Sequence, residues 1–185
     1  GDIGIALFAY TSFYVTDILG LPPARIGMIL LGSKVIDGLV DLFYGILIDR
    51  TKSRLGKGRP YELALIGYWA SGILIFATPH TTVTLMLFYF FFMYNMRQSV
   101  FQSLLACAEP VYFVNSIPDK SQAAKILSIR GTVCGIGTLP FSVLLPQAIR
   151  WAGEIQQRWI LIGLTVAIPF TLIGLLRFFF IKETQ

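Results

Sequence analysis

Charge is scarce in this chain. Lys and Arg together number 15, Asp and Glu 10, and the four types make up only 14% of 185 residues. A soluble domain carries about a quarter, so that class is excluded. With 55% hydrophobic residues and a mean hydropathy of +0.70, the chain reads as an integral membrane protein. Histidine occurs once, at His80, with no second ligand or carboxylate near it in sequence, which argues against metal or base chemistry there. The two cysteines, Cys107 and Cys134, are too few for a disulfide framework and lie in or beside apolar runs, where a reduced thiol behaves as a small apolar group. The net charge of +5 sits in short loops without an aromatic-studded soluble surface, which sets nucleic acid aside as a partner.

What the chain does have is long apolar runs, near Ile3–Leu19, Ile26–Ile48, Leu63–Thr78, Thr82–Leu105, Ile126–Ile149 and Trp159–Ile181. About 20 residues of helix cross the roughly 30 Å of hydrocarbon in a bilayer. Lipid-exposed backbone must satisfy its own hydrogen bonds, and no alternating ten-residue strands are visible, so the expected fold is all-α, with about six transmembrane helices in one bundle. The loop from Asp49 to Pro60 holds Arg50, Lys52, Arg54, Lys57 and Arg59 against one acid. The positive-inside rule makes this loop cytoplasmic, together with Pro118–Lys125 and the end at Lys182. A cell (plasma) membrane, multi-pass location follows. Trp151 and Trp159 fall where interfacial anchors are expected, and Trp69 falls in the core.

The second run contains KVIDGLVDLFYG, with Lys34, Asp37 and Asp41 inside it. Asp37 stands roughly 18 Å from each expected helix end, Arg25 and Asp49, at 1.5 Å per residue. That is near the bilayer midplane. Three charges there cost about 8–10 kcal/mol, against roughly 4–8 recovered from the surrounding apolar residues. Spacings of three and four put them on one stripe, which must therefore face a bundle interior or a water-filled cavity, where ion and substrate paths lie. Two carboxylates about 6 Å apart repel by roughly 3 kcal/mol at an effective dielectric of 20. A proton or a sodium ion would relieve this; a salt bridge with Lys34 that locks helices together is the structural alternative.

The stretch from Tyr14 to Tyr61 resembles the first two helices and following loop of the glycoside, pentoside and hexuronide cation symporters, the melibiose permease group of the major facilitator superfamily. The features that carry the likeness are Thr16-Asp17 before a Gly-containing turn, a basic residue three before an aspartate, a second aspartate four later, and the Gly45…Asp49-Arg50…Arg54…Gly56-Lys57 loop. The resemblance implies a cation-coupled sugar or glycoside symporter with no cofactor beyond its coupling cation, Na+ or H+. Asp37 and Asp41 would hold that cation, as metal ligands if it is sodium, with Lys34 as charge partner. Val40 stands where the family usually carries asparagine or another polar residue, a departure that bears on sodium selectivity. The loop residues Asp49, Arg50, Arg54, Gly56 and Lys57 would act in gating. Asp2 resembles the acid of the family's first helix that contacts sugar hydroxyls, and Arg130 matches a substrate-contacting arginine of the fifth.

Tyr94, Arg97, Gln98 and Phe101 share a face at helical spacing, and Arg97 should point inward. Tyr94 and Arg97 join Asp2 and Arg130 as candidate substrate contacts. Glu109-Pro110 is expected to end the fourth helix as a cap or gate, Gly131 and Gly135 to let helices approach, and Pro140, Pro146 and Pro169 to kink or end helices. The chain starts at Gly1 inside an apolar run, so it is expected to be cut at the front and to lack a C-terminal six-helix bundle; residues 1–185 are one N-terminal bundle. The competing readings are a symporter of lysolipids or other amphipathic solutes, an integral-membrane CDP-alcohol phosphotransferase and a transport-inactive scaffold half. The phosphotransferase motif fails at Lys34, Val40-Asp41 and Ser53, so no catalytic residue is expected.

Overall fold

The computed structural model describes residues 2–51, 58–116 and 120–180. Among them are helices and turns and no strand. The helical pieces align into six rods. α1 is broken into Asp2–Phe8, Thr11–Phe13 and a π-helical turn, Tyr14–Ile18. Gly20, at φ 67°, takes the left-handed turn that glycine adopts without steric cost. Pro23 then opens α2, Pro23–Arg50, at the position where its missing N–H is no loss. α3, Ala64–Phe76, follows a 3-10 turn at Arg59–Leu63. α4 is one rod in three parts: Val83–Asn95, a π-helical stretch Met96–Gln102, and Ser103–Ser116. α5 is Lys120–Ala152, and after a left-handed turn at Gly153 (φ 51°) α6 runs Gln156–Phe180.

The core lies between α1, α3 and α6. Phe8, Tyr14, Phe76 and Trp159 pack ring on ring, with Tyr14 and Phe76 edge to face at 5.2 Å and Phe76 and Trp159 at 5.6 Å. Gly72 is required here, because a Cβ would overlap the Phe8 ring. At the far end from the basic loop the helices are stitched by polar contacts. The Tyr14 hydroxyl donates to the Phe76 carbonyl at 2.7 Å, and Gln156 Nε2 donates to the carbonyls of Phe76 (3.1 Å) and Thr78 (2.7 Å). These are the carbonyls that the end of α3 leaves without helical partners.

Trp159 is a correction to the sequence expectation. It is 1% exposed, with its indole N–H donating to the Gly153 carbonyl at 2.9 Å, and it belongs to the core; Trp151, 54% exposed, keeps the outward position expected of an anchor. The fourth helix does not end at Glu109-Pro110 but continues through Pro110 to Ser116. Pro140, Pro146 and Pro169 all lie inside helices. Gly131 and Gly135 have open space where a side chain would be, so they serve no close helix approach among the described residues.

Much of the apolar surface faces outward. Leu31, Val35, Leu39, Leu42 and Phe43 on α2, and Ile129, Val133, Ile136 and Leu139 on α5, are exposed. Two uninterrupted stretches, Ser128–Ala152 and Gln156–Leu176, are long and apolar enough by themselves to cross a membrane. α2 is interrupted by its charges, α4 by its polar π turn, and Ile3–Ile18 and Pro60–Phe76 are shorter apolar helices. Exposed apolar faces on this scale match hydrocarbon or further protein, not water. The fold is all-α and built for a membrane.

Candidate functional site

α2 crosses the bundle's edge with its charged stripe along the seam it shares with α4. Asp37 turns into the seam, with its side chain 13% exposed. Lys34 Nζ lies 3.2 Å from Asp37 Oδ2, and its own side chain is 63% exposed. From α4, the Ser99 hydroxyl donates to Asp37 Oδ1 at 2.5 Å and lies 3.2 Å from Asn95 Oδ1. The amide of Asn95 is oriented by its Nδ2, which donates to the Phe91 carbonyl at 2.7 Å. Ser99 therefore has one proton and two acceptor oxygens in reach. Asp41, one turn on, is exposed, and the Cys107 thiol lies 4.0 Å from its backbone carbonyl. Of the stripe expected to face a bundle interior or a water-filled cavity, Asp37 is covered by α4, and Lys34 and Asp41 stand just beyond that cover.

Arg97 points inward as expected, at 4% exposure. Its guanidinium lies over Phe8 (4.5 Å), Tyr68 (5.5 Å) and Tyr94 (5.6 Å), donates to Gln98 Oε1 at 2.9 Å and reaches the Tyr68 hydroxyl at 3.4 Å. No carboxylate pairs with it among the described residues, and its Nε has no acceptor. Cation–π attraction in a desolvated setting contributes about 2 kcal/mol or more, short of the tens of kcal/mol that burying an isolated charge costs. Tyr94 is half-buried beside it.

Arg130 sits elsewhere. It pairs with Glu109 at 2.5 Å, α5 to α4, on the wall of a cavity of about 520 Å³. The cavity is bounded by Ile3 and Gly4 of α1, Glu62 and Trp69, Glu109, Cys134 and Thr138 of α5, and Phe170 and Gly174 of α6. Asp2 adjoins that wall in sequence, and its side chain lies outside the described residues. The structure thus brings Arg130 to the neighbourhood of the α1 start, and Tyr68, packed against Gly4 and reached by Arg97, lies between that start and the Tyr94–Arg97 pair. Asp49 and Arg50 end α2 and are exposed. Arg54, Gly56 and Lys57 lie outside the described residues.

Ser99, Asn95 and Glu62 were not visible as site residues from sequence. Regular helical spacing puts Arg97 and Phe101 on one face and carries Ser99 away from it. Ser99, within the π-helical stretch Met96–Gln102, a feature found mostly at functional sites, faces Asp37. Polar residues recurring at Asn95, Ser99 and Ser103 in an apolar run were the available signal.

Residues 3–185 match the family model described as MFS/sugar transport protein. The chain belongs to that family. It is 42% identical over 71 residues to the uncharacterized symporter YnaJ of Bacillus subtilis (strain 168), a match covering 38% of this chain and 15% of that protein. It is 36% identical over 72 residues to the isoprimeverose transporter of Lactiplantibacillus pentosus, covering 38% and 15%. The longest of these matches, 147 residues at 26% identity, is to the inner membrane symporter YicJ of Escherichia coli (strain K12), covering 78% of this chain and 31% of that one. The matched stretches therefore span less than a third of these relatives' lengths. No solved structure gives a significant match. The family is one of multi-pass membrane transporters, in keeping with the transporter rather than enzyme reading of the sequence.

Proposed function

We propose that this chain is the N-terminal six-helix bundle of a cation-coupled sugar or glycoside symporter that works by alternating access with a second, C-terminal bundle. The observation that carries the reading is the setting of Asp37: a carboxylate near the middle of a membrane helix, bonded by the Ser99 hydroxyl of the facing helix, which also lies within reach of Asn95 Oδ1. The relatives named as symporters, one of them a "putative glycoside/cation symporter" of Escherichia coli (strain K12) 34% identical over 80 residues, support the same reading.

The chemistry follows from the proton count. While Ser99 donates to Asp37, its lone pairs are poorly placed to serve a cation. When the hydroxyl turns its proton to Asn95 Oδ1, a lone pair of Ser99 and the freed Oδ1 of Asp37 face the same point. A sodium ion takes such hard oxygens, and a proton on Asp37 would complete the chain Asp37 to Ser99 to Asn95. Asp41 supplies the second negative charge and Lys34 limits the net charge of the empty site. The cation then raises sugar affinity, and the sugar raises cation affinity by the same factor.

Sugar recognition belongs to the cavity, with Arg130 donating to hydroxyls and the α1 start, including Asp2, closing one side. Arg97, caged by rings, acts as a fixed internal charge and not as a direct contact. The basic loop at 49–60 lies on the cytoplasmic side and takes part in the conformational switch. The experiment is uptake by the full-length protein in proteoliposomes under an imposed sodium or proton gradient. Uphill accumulation of a sugar or glycoside under either gradient supports the reading, and gradient-independent equilibration alone would refute coupling.

A further inference from the structure

We infer that Tyr68, held between Arg97 and Gly4, is a positioning residue that carries the state of the cation seam at Asp37 to the start of α1; the inference rests on the symporter reading and deepens its coupling step. The stretch Met96–Gln102 of α4 works on two sides. On one, the Ser99 hydroxyl donates to Asp37 of α2. On the other, Arg97 points into the bundle at 4% exposure, with its guanidinium over Phe8 of α1 and Tyr68 of α3. Ser99 and Arg97 are two residues apart on one backbone, so a change of partner at Ser99 bears directly on Arg97.

Close approaches make the link stiff. A Cβ at Gly67 would overlap the Phe101 ring, and one at Gly4 would stand 2.6 Å from the Tyr68 hydroxyl. The π-helical stretch therefore bears on α3 through Phe101, and α3 bears on α1 through Tyr68, with no slack at either contact. Interiors packed in this way have low compressibility and transmit a displacement instead of absorbing it. Gly4 lies on the wall of the cavity beside Arg130, two residues from Asp2. The Arg97–Tyr68 contact also has room to tighten. Arg97 Nη1 stands 3.4 Å from the Tyr68 hydroxyl oxygen, beyond the range of about 2.7–3.2 Å of a well-made N–H···O bond, and Arg97 Nε has no acceptor. A buried guanidinium with a donor to spare gains from a shorter bond to the nearest oxygen. With Ser99 donating to Asp37 the pair is held apart; with Ser99 turned to Asn95, Arg97 closes on Tyr68 and Tyr68 shifts against Gly4. The movement is roughly a few tenths of an ångström and leaves Arg97 among its rings. Packed contacts hold discrete arrangements and amplify shifts of this size, so the start of α1 takes a second position when the seam changes state.

The test is hydrogen–deuterium exchange, read by mass spectrometry, of the full-length protein in phosphatidylcholine nanodiscs. It compares sodium with choline, and neutral with acidic buffer after correction for the intrinsic pH dependence of exchange; no sugar is needed. In the wild type one of the two cations should change the protection of the seam amides from Asn95 to Gln102 and of the α1 amides from Ile3 to Phe8, each by at least about fivefold, the lower end of the usual coupling between sites. Tyr68→Phe keeps the ring and loses the hydroxyl that faces Arg97; it should retain the seam response and reduce that of α1 to below twofold. Tyr89→Phe, which removes a hydroxyl bonded to the Leu74 carbonyl on the same two helices, should leave both responses intact. Arg97→Lys takes the place of Tyr68→Phe if that variant does not fold. A full α1 response in Tyr68→Phe, loss of both responses in it, loss of the α1 response in Tyr89→Phe, or a seam response without an α1 response in the wild type overturns the inference and leaves symport standing. No response at the seam to either cation overturns the inference together with the cation site.

Discussion

Neutralising the two partners of Asp37 should have very different consequences, because one partner is buried with it and the other is not. Lys34 is 63% exposed on its side chain, so its ion pair with Asp37 resembles a surface pair, about 0–1 kcal/mol. Ser99 is 1% exposed and donates a hydrogen bond to an ionised group, which contributes about 1.5–3 kcal/mol. Ser99→Ala removes that donor and also one oxygen from the proposed cation site. The hydrogen bond belongs to the cation-free site, whereas the oxygen that Ser99→Ala removes serves the cation. The apparent cation affinity for driven uptake should therefore fall by about tenfold or more in Ser99→Ala, the equivalent of about 1.4 kcal/mol. Lys34→Gln, which removes a competing positive charge, should change it by no more than about fivefold and toward tighter binding. Asp37→Asn should abolish uphill accumulation and leave downhill exchange of sugar. The assay is initial uptake in proteoliposomes as a function of sodium and of proton concentration. A larger loss in Lys34→Gln than in Ser99→Ala would refute the ranking. Full driven accumulation by the Lys34→Gln, Asp37→Asn double variant would go further and return the pair to the role of a helix-locking salt bridge.

Arg130→Gln breaks an ion pair whose partners are 40% and 33% exposed, so the melting temperature should change little, by the equivalent of about 1 kcal/mol or less; a KM for sugar raised at least tenfold would mark it as a cargo contact, and an unchanged KM would remove it from the site. Gln156→Leu strips hydrogen bonds from the carbonyls of Phe76 and Thr78, so the purified protein should lose about 1–3 kcal/mol of stability, read as a lower melting temperature, with the cation half-saturation unaltered. Reversing the charge of Arg54 or Lys57 should slow turnover while sugar binding is kept. Equal loss of both would place the loop in binding or folding instead of in the switch.

The rods were legible because each rests on a long apolar run bounded by turn chemistry. The expected ends of α2, Arg25 and Asp49, fall within two residues of Pro23 and Arg50. The aspartate pair was legible too, since a charge in the middle of such a run has few structural excuses. Three things were not. The face shared by Tyr94, Arg97 and Phe101 drew the reading of this helix, and Ser99, on another face with Asn95, was missed. An aromatic near a helix end reads alike whether it meets lipid or core, and Trp159 was assigned to the wrong one. The cavity depends on how far α5 stands from α4, a property of the assembled rods, so the shared surroundings of Glu62, Glu109 and Arg130 could not be read from any one segment.

The unequal fastening of α5 makes it a lever. Its C-terminal turns are held, with Leu145 at 4%, Ile149 at 8% and Ala152 at 0% exposure, beside the stitched ends of α3 and α6, whereas Ile129, Val133, Ile136 and Leu139 are open. The arm from Ile149 to Arg130 is about 28 Å at 1.5 Å per residue. A tilt of roughly 10° about the held end would sweep Arg130 through ~5 Å, about one helical pitch, enough to part it from Glu109 while the aromatic cluster stays packed. The Glu109–Arg130 pair, partly exposed on both sides, is then the latch at the moving end of an arm that can also flex at Pro140 and Pro146.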